Sequence, residues 1–110
     1  MKPLVWVATT LDDLRDFPPD ARKDAGYQLF KVQAGDEPTD WKPMPAVGPG
    51  VREIRVHAGS EVRVLYVAKF EEAVYVLHAF GKKTRKTPKH DIDLAAERFW
   101  RLLKWRKEKT

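Results

Sequence analysis

The densest group of charged side chains in this 110-residue sequence lies between residues 82 and 89. Five of these eight residues are cationic: Lys82, Lys83, Arg85, Lys86 and Lys89. So many like charges in one short segment repel one another unless an anion meets them, and the phosphate backbone of a nucleic acid is the commonest such anion. The pattern indicates a phosphate-binding loop; a solvated basic loop has the same composition.

Two arginines, Arg55 and Arg63, lie in neighbouring segments rich in β-branched residues. A connection of hairpin length joins the segments, so pairing as antiparallel strands brings both side chains within reach of one phosphate. The planar fork of arginine holds phosphate oxygens bidentately and stays charged. Arg63 interrupts an apolar run, where a charge is costly unless it is paired or functional, and Glu53 or Glu61 is the alternative partner.

The remaining chemistry-bearing residues give weaker signals. The three histidines, His57, His78 and His90, lack the spacing of metal ligands, and the chain has no cysteine. A disulfide framework and a thiolate metal site are therefore excluded, and we expect no cofactor. We expect His78 to be a hydrogen-bonded core residue and His90, beside the basic loop, to be the histidine best placed for proton transfer.

Hydrophobic periodicity predicts the elements that position these side chains. A strand over residues 4–8 precedes a short helix with Thr10 and Asp13 as its capping box, and Pro18-Pro19 ends that helix. A second helix runs to Ala34, with Gly35 as its stop, and residues 36–50 form one long loop.

The second half of the chain reads as a sheet followed by a helix. Strands over 51–57, 62–68 and 73–80 form an antiparallel meander, and Thr87-Pro88 starts the C-terminal helix. The prediction is an α+β fold in one domain, residues 1–110, with an N-terminal strand and helical hairpin, an antiparallel sheet and a C-terminal helix. The predicted core consists of Val5, Leu14, Leu29, Ile54, Val64, Leu65, Val76, Leu77 and Phe99.

Charge is distributed unevenly along the chain, whose formal net charge is +5. Residues 1–41 carry five basic and eight acidic side chains, whereas residues 42–110 carry sixteen basic and eight acidic ones. A basic surface of this kind meets a polyanion or an acidic protein. Apolar runs are too short for a membrane span or a signal peptide, so we expect a soluble, cytoplasmic protein.

Nearly the whole sequence resembles the phage-derived, HigB-like toxins of the RelE/ParE superfamily. The pieces that carry the resemblance share their order and spacing with that branch. They are Asp13-Leu14-Arg15, Phe17-Pro18, Gly26-Tyr27, Val32-Gln33, Lys42-Pro43, the segment from Val51 to Val56, Arg63-Val64-Leu65-Tyr66, the segment from Val76 to Phe80, the segment from Lys82 to Pro88, Asp91-Ile92, Ala95 and Arg98.

The resemblance implies a type II toxin that cuts messenger RNA in the ribosomal decoding site, without a metal, and that a helix-turn-helix antitoxin neutralises. The ribose 2′-hydroxyl attacks the adjacent phosphate, and the protein orients the strand and neutralises developing charge. Arg63 and Lys83 match the two catalytic basic positions and Arg55 a strand cation on the RNA backbone. The remaining RNA contacts fall on Lys82, Arg85, Lys86 and Lys89. On this basis we expect alanine at Arg63 or Lys83 to abolish growth arrest and to leave the melting temperature close to that of the parent.

The sequence departs from this family in one respect that matters for mechanism. Several relatives place a tyrosine or histidine near the chain end for proton transfer, and no tyrosine follows Tyr75 here. The general acid and base are therefore open, and a lysine of residues 82–86 serves if neighbouring cations ease its deprotonation. A ParE-like poison of DNA gyrase and a non-catalytic module that binds RNA or protein are the alternatives.

Overall fold

The computed structural model describes residues 1–109; Thr110, the last residue of the predicted domain, lies outside them. Its elements follow the predicted order and confirm the α+β class. They are β1 (Leu4–Trp6), α1 (Thr10–Arg15), α2 (Pro19–Gln33), β2 (Trp41–Pro43), β3 (Val51–Val56), β4 (Val62–Val67), β5 (Val74–Gly81) and α3 (Lys89–Lys109). No helix within residues 1–109 is long and apolar enough to cross a membrane.

One mixed sheet organises the molecule, with the strand order β1-β5-β4-β3-β2. The predicted meander is confirmed, because β3 pairs antiparallel with β4 and β4 with β5. At the other edge β1 pairs parallel with β5, so the sheet is not wholly antiparallel. The prediction of one loop over 36–50 is wrong, because β2 lies inside it and pairs antiparallel with β3.

Helices cover both faces of the sheet, which explains why β4 and β5 are apolar on both sides. Helices α1 and α2 pack on one face, where Leu29, Ile54 and Val64 are buried. Helix α3 packs on the other face, where Leu65 and Phe99 are buried. Every predicted core residue is buried except Val5, which is 38% exposed because β1 is a short edge strand.

The helix ends differ from the predictions at two of three sites. Helix α2 ends as predicted: Gly35 has φ +91° and its N–H donates to Val32 O, while Asp36 N–H donates to Lys31 O. These two bonds form a Schellman motif, in which glycine avoids the penalty of a left-handed residue. The capping box on Thr10 is wrong, because its hydroxyl is buried against Val76 O.

The start of α3 also differs, with consequences for the site. The helix begins at Lys89 instead of at Pro88, and the side chain of Thr87 does not cap it. Instead the Thr87 hydroxyl donates to Glu53 Oε2 at 2.6 Å. The threonine thereby ties the segment before α3 to the centre of β3.

A β-bulge in β5 sets the direction of the residues that follow it. Leu65 pairs with His78 and Tyr66 with Val76, so Leu77 is the extra residue of β5. Arg98 on α3 donates to the carbonyl of Leu77 at 3.0 Å. Because side chains alternate along a strand, the bulge turns His78 and the even-numbered residues beyond it toward the α3 face.

Gly48 allows α3 to approach the loop before β3, and Gly48→Ala should destabilise the protein by about 1–3 kcal/mol. A Cβ at this position would lie 2.3 Å from Cδ2 of Phe99, a residue of α3 that is fully buried and has little room to move. Gly26→Ala is the matched control: a Cβ there has nothing within 4 Å on the exposed side of α2, so this variant should gain about 0.5–1 kcal/mol. Urea unfolding of both variants measures the two changes in the free energy of unfolding, which should have opposite signs. Equal changes contradict the close approach of Phe99 to Gly48.

Candidate active site

Arg55 and Arg63 face each other across the β3–β4 pair, as the hairpin predicts. Both side chains lie on the α3 face of the sheet, beyond the end that α3 covers, because Arg63 alternates with the buried Leu65 on that face. They line a groove of about 410 Å³, which we call the basic groove. Its lining residues are Arg55, Glu61, Arg63, Lys82, Lys83, Thr84 and Arg85.

Arg63 is only 5% exposed although it is charged. Its Nη1 donates to the Val62 carbonyl at 3.0 Å, and its Nη2 donates to Glu61 Oε1 at 3.2 Å. Its Nε lies 3.8 Å from Glu53 Oε1 and has no hydrogen-bond partner among the described residues. Both acidic partners considered from the sequence therefore flank Arg63. Its two hydrogen bonds use two of the five guanidinium N–H groups, so Nε–H and one N–H on each terminal nitrogen have no partner among the described residues.

Glu53 is the buried anion of the site, with 0% exposure. One carboxylate oxygen accepts the Thr87 hydroxyl, and the other lies 3.8 Å from both Lys42 Nζ and Arg63 Nε. Hydrogen-bonded and flanked by cations, the carboxylate tolerates a position where an isolated charge is prohibitive. The sequence showed Glu53 only as a partner for Arg63; its contacts with Lys42 and Thr87 depend on long-range packing.

Lys82 is the buried lysine of the basic segment, with 7% exposure. Its backbone N–H donates to the Glu61 carbonyl at 2.8 Å, which extends the β4–β5 ladder by one residue. Its Nζ has no hydrogen-bond partner within residues 1–109. Burial lowers the pKa of Lys82, and the positive charges of Arg63, Lys42 and Arg55 lower it further, against the opposing effect of Glu53.

The other cations of the segment divide into two groups. Lys83 and Arg85 are exposed and line the basic groove with Arg55 and Arg63. Lys86 and Lys89 are exposed and outside that lining, and Lys89 Nζ lies 3.3 Å from Asp93 Oδ2 on α3. The structure therefore brings together five of the seven predicted site residues. The sequence of residues 82–89 alone could not show at which residue the chain leaves the basic groove.

Glu61 places a carboxylate at the wall of the basic groove. Its oxygens accept from Arg63 and lie 2.7 and 2.9 Å from His57 Nδ1, while His57 Nε2 lies 2.7 Å from Asp40 Oδ2. These carboxylates raise the pKa of His57, and His57 in turn lowers that of Glu61. A phosphate that approaches Arg63 Nη2 meets the Glu61 carboxylate on the same nitrogen, which has a second N–H to donate.

The remaining histidines lie away from the groove lining. His78 is buried, its Nε2 lies 2.6 Å from Asp91 Oδ1, and its ring stacks on Phe80, so the predicted core role is confirmed. Burial lowers the pKa of His78. The side chain of His90 is 82% exposed and lies 3.4 Å from Asp91 Oδ2. Neither residue lines the basic groove.

Burial changes what substitutions at Arg63 can test. Alanine at this position leaves Glu53 without its nearest guanidinium, and breaking a buried ion pair typically costs about 3–5 kcal/mol. We therefore replace the expectation from the sequence and expect Arg63→Ala to lower the melting temperature. Lys83 is exposed, so the expectation of a melting temperature close to that of the parent stands for Lys83→Ala.

A larger groove, about 540 Å³, lies between β1 and α3, away from these cations. Its lining is mainly apolar and includes Val5, Val7, Leu102 and Trp105. The lining offers Glu97, Arg98 and Arg101 as charged groups, of which Arg98 is bonded to Leu77 O and Arg101 to Glu97. Arg55, Arg63 and Lys82 each have a buried nitrogen without a hydrogen-bond partner among the described residues, and all three line the basic groove, which is the better site for chemistry.

The family model for phage-derived Gp49-like proteins (DUF891) matches residues 12–100, which include every lining residue of the basic groove. The chain belongs to this family. Gp49-like proteins are in general a family of RelE/HigB-like toxins, which agrees with the family resemblance of the sequence. The search of curated proteins finds no match.

Proposed function

We propose that this protein is the toxin of a type II toxin–antitoxin system and cleaves messenger RNA on the ribosome. The observation that carries the proposal is the facing pair Arg55 and Arg63, surrounded in one groove by Lys82, Lys83 and Arg85. Membership of the Gp49-like family, which is consistent with toxins, supports the same function.

The arrangement suits attack by a ribose 2′-hydroxyl on the adjacent phosphate. This reaction develops negative charge on the phosphate oxygens, and preorganised cations stabilise such charge. Arg63 is preorganised by its bonds to Val62 O and Glu61, and Arg55 is the cation opposite it. In this proposal Arg63 and Lys83 stabilise the reacting phosphate, and Arg55 and Arg85 hold the backbone on either side.

The proposed partner is a helix-turn-helix antitoxin that prevents access of the basic groove to the ribosome. Surplus positive charge on residues 42–110 favours an acidic contact surface, since complementary potentials steer association and fix its register. The gene beside this one is the natural source of such a protein. Relief of growth arrest on co-expression distinguishes an antitoxin from an unrelated neighbour.

Lys83→Ala should abolish growth arrest and lower cleavage of ribosome-bound mRNA by about 100-fold or more, because one transition-state cation is lost. The melting temperature should change little, since exposed substitutions usually contribute within about 0.5 kcal/mol. Lys104→Ala removes an equally exposed cation on α3 and serves as the matched control. Growth on induction, cleavage rate and thermal unfolding are measured for both variants.

Equal loss of activity in the two variants contradicts a specific site and makes net charge the cause. Full activity in both removes Lys83 from the catalytic set. Binding of RNA without cleavage by the wild-type protein favours the non-catalytic module over the nuclease.

A further inference from the structure

Cleavage by 2′-hydroxyl attack requires a group that accepts the hydroxyl proton, and the candidates near the groove differ in burial and hydrogen bonding. His57 is engaged on both ring nitrogens by carboxylates. His78 lies beneath α3 with its Nε2 on Asp91, and His90 lies outside the groove lining. Glu61 is occupied by Arg63 and His57. Each of these groups has another structural commitment or the wrong position.

Lys82 combines three properties that a proton acceptor needs. Its side chain lines the basic groove beside Arg63. Its Nζ is buried and has no hydrogen-bond partner in the described part of the chain, so no hydrogen bond competes with a ligand for the amine. Four rotatable bonds let the amine turn toward a ligand in the groove. No other lysine of the groove is buried, since Lys83 is exposed in the described structure.

The charges around Lys82 favour the neutral amine. From β4 it faces Arg63, from β3 Arg55 and Glu53, and from β2 Lys42. Glu53 is the one carboxylate among them, and it is shared with Lys42, Arg63 and Thr87. Desolvation and three nearby cations both penalise the ammonium form, and the pKa of Lys82 is accordingly lowered.

We propose that Lys82 is the general base of the cleavage reaction, an inference that rests on the proposed nuclease function. The neutral amine takes the proton of the ribose 2′-hydroxyl as the 2′-oxygen forms its bond to phosphorus. The bond from phosphorus to the 5′-oxygen breaks, and the electron pair leaves with the 5′-oxygen, which takes a proton from water in the open groove. Lys82 then returns its proton to the resulting hydroxide.

Two substitutions at Lys82 separate the base from a simple cation. Lys82→Arg places a permanent positive charge in the groove and cannot accept a proton, because arginine stays protonated in proteins. Loss of a general base typically costs about 100- to 10,000-fold in rate, so cleavage should fall by at least about 100-fold. RNA binding, measured separately by fluorescence anisotropy at fixed salt, should stay within about threefold. Lys104→Arg, on the exposed side of α3, is the control for the exchange of lysine for arginine.

The pH dependence gives a second readout that a structural role does not move. The single-turnover rate on ribosome-bound mRNA should rise with pH while Lys82 loses its proton and level off above its pKa. Lys82→Ala removes this rising limb together with most activity, and added methylamine should restore part of the rate with the pH dependence of the amine. This rescue also covers the case in which arginine does not fit the buried position.

The outcomes separate this inference from the function on which it rests. Wild-type cleavage together with a fully active Lys82→Arg variant overturns the role of Lys82 and leaves the nuclease function intact. Persistence of the same pH limb in Lys82→Ala, or no rescue by methylamine in a folded variant, also overturns it. No cleavage of ribosome-bound mRNA by the wild-type protein overturns both proposals.

Discussion

We expect Arg63→Lys to lower the rate of ribosome-dependent cleavage by about 100-fold while the protein stays folded. Arginine offers a planar fork of donors, and its two terminal nitrogens are already aimed by Val62 O and Glu61. Lysine keeps the positive charge beside Glu53 but is a point charge that cannot bind phosphate bidentately. The measurement is single-turnover cleavage of mRNA held on ribosomes, together with thermal unfolding.

The control for this variant is Arg101→Lys. Arg101 is exposed on α3 and paired with Glu97 on its own helix. The exchange therefore removes a guanidinium without changing a lining residue of the basic groove. Its cleavage rate should equal that of the parent. A fully active Arg63→Lys variant refutes bidentate phosphate binding at this position, whereas equal losses in both variants point to a general need for guanidinium groups rather than to this site.

We expect Glu53→Gln to reduce the free energy of unfolding by about 3–5 kcal/mol, which is the typical cost of breaking a buried ion pair. Glu53 is fully buried and lies between Lys42, Arg63 and Thr87. Glutamine has almost the same shape, so the loss measures the missing charge and not a cavity. Removing the carboxylate leaves the neighbouring cations without their common counter-charge.

Urea unfolding followed by intrinsic fluorescence checks this prediction. Glu97→Gln, the same chemical change on the exposed side of α3, should alter the unfolding free energy by no more than about 0.5 kcal/mol. A Glu53→Gln variant as stable as the parent shows that solvent, and not Glu53, neutralises the cluster.

Much of the fold follows from patterns that are local in sequence. Helical spacing of Ala21, Ala25 and Leu29 predicts α2, and glycine after its last turn predicts its end. Short strands rich in valine with hairpin-length connections predict the antiparallel meander and therefore the facing pair Arg55 and Arg63. The facing position of those two arginines follows from the register of the single β3–β4 hairpin.

The features that sequence reasoning missed depend on contacts between distant segments. Trp41–Pro43 is only three residues long and is surrounded by prolines and glycines, so its sequence does not signal a strand. It forms β2 because β3 offers an open edge for pairing. The parallel placement of β1 beside β5 has no local signature either. Val5 looked like a core residue because its segment is apolar, but an edge strand of three residues leaves it exposed.

The assignment of roles within the basic segment was limited for the same reason. Lys82 and Lys83 are adjacent and chemically identical in sequence, yet the former is buried and the latter exposed. The difference arises from the bulge at Leu77 and from the bond between Lys82 N–H and the Glu61 carbonyl. Sequence composition identifies the cations. Which of the two lysines is buried depends on the alternation of side chains beyond the bulge, which turns Lys82 inward and Lys83 toward solvent.

The most direct test of the central claim is the chemistry of the RNA ends after incubation of the purified protein with ribosomes that hold mRNA. Attack by the 2′-hydroxyl predicts fragments with a 2′,3′-cyclic phosphate on one side and a 5′-hydroxyl on the other, and a single 2′-deoxynucleotide at the cut site should prevent cleavage. Intact mRNA, fragments with 5′-phosphates, or cleavage that survives the 2′-deoxy substitution contradicts the account. Inhibition of DNA gyrase with intact mRNA identifies the gyrase poison instead.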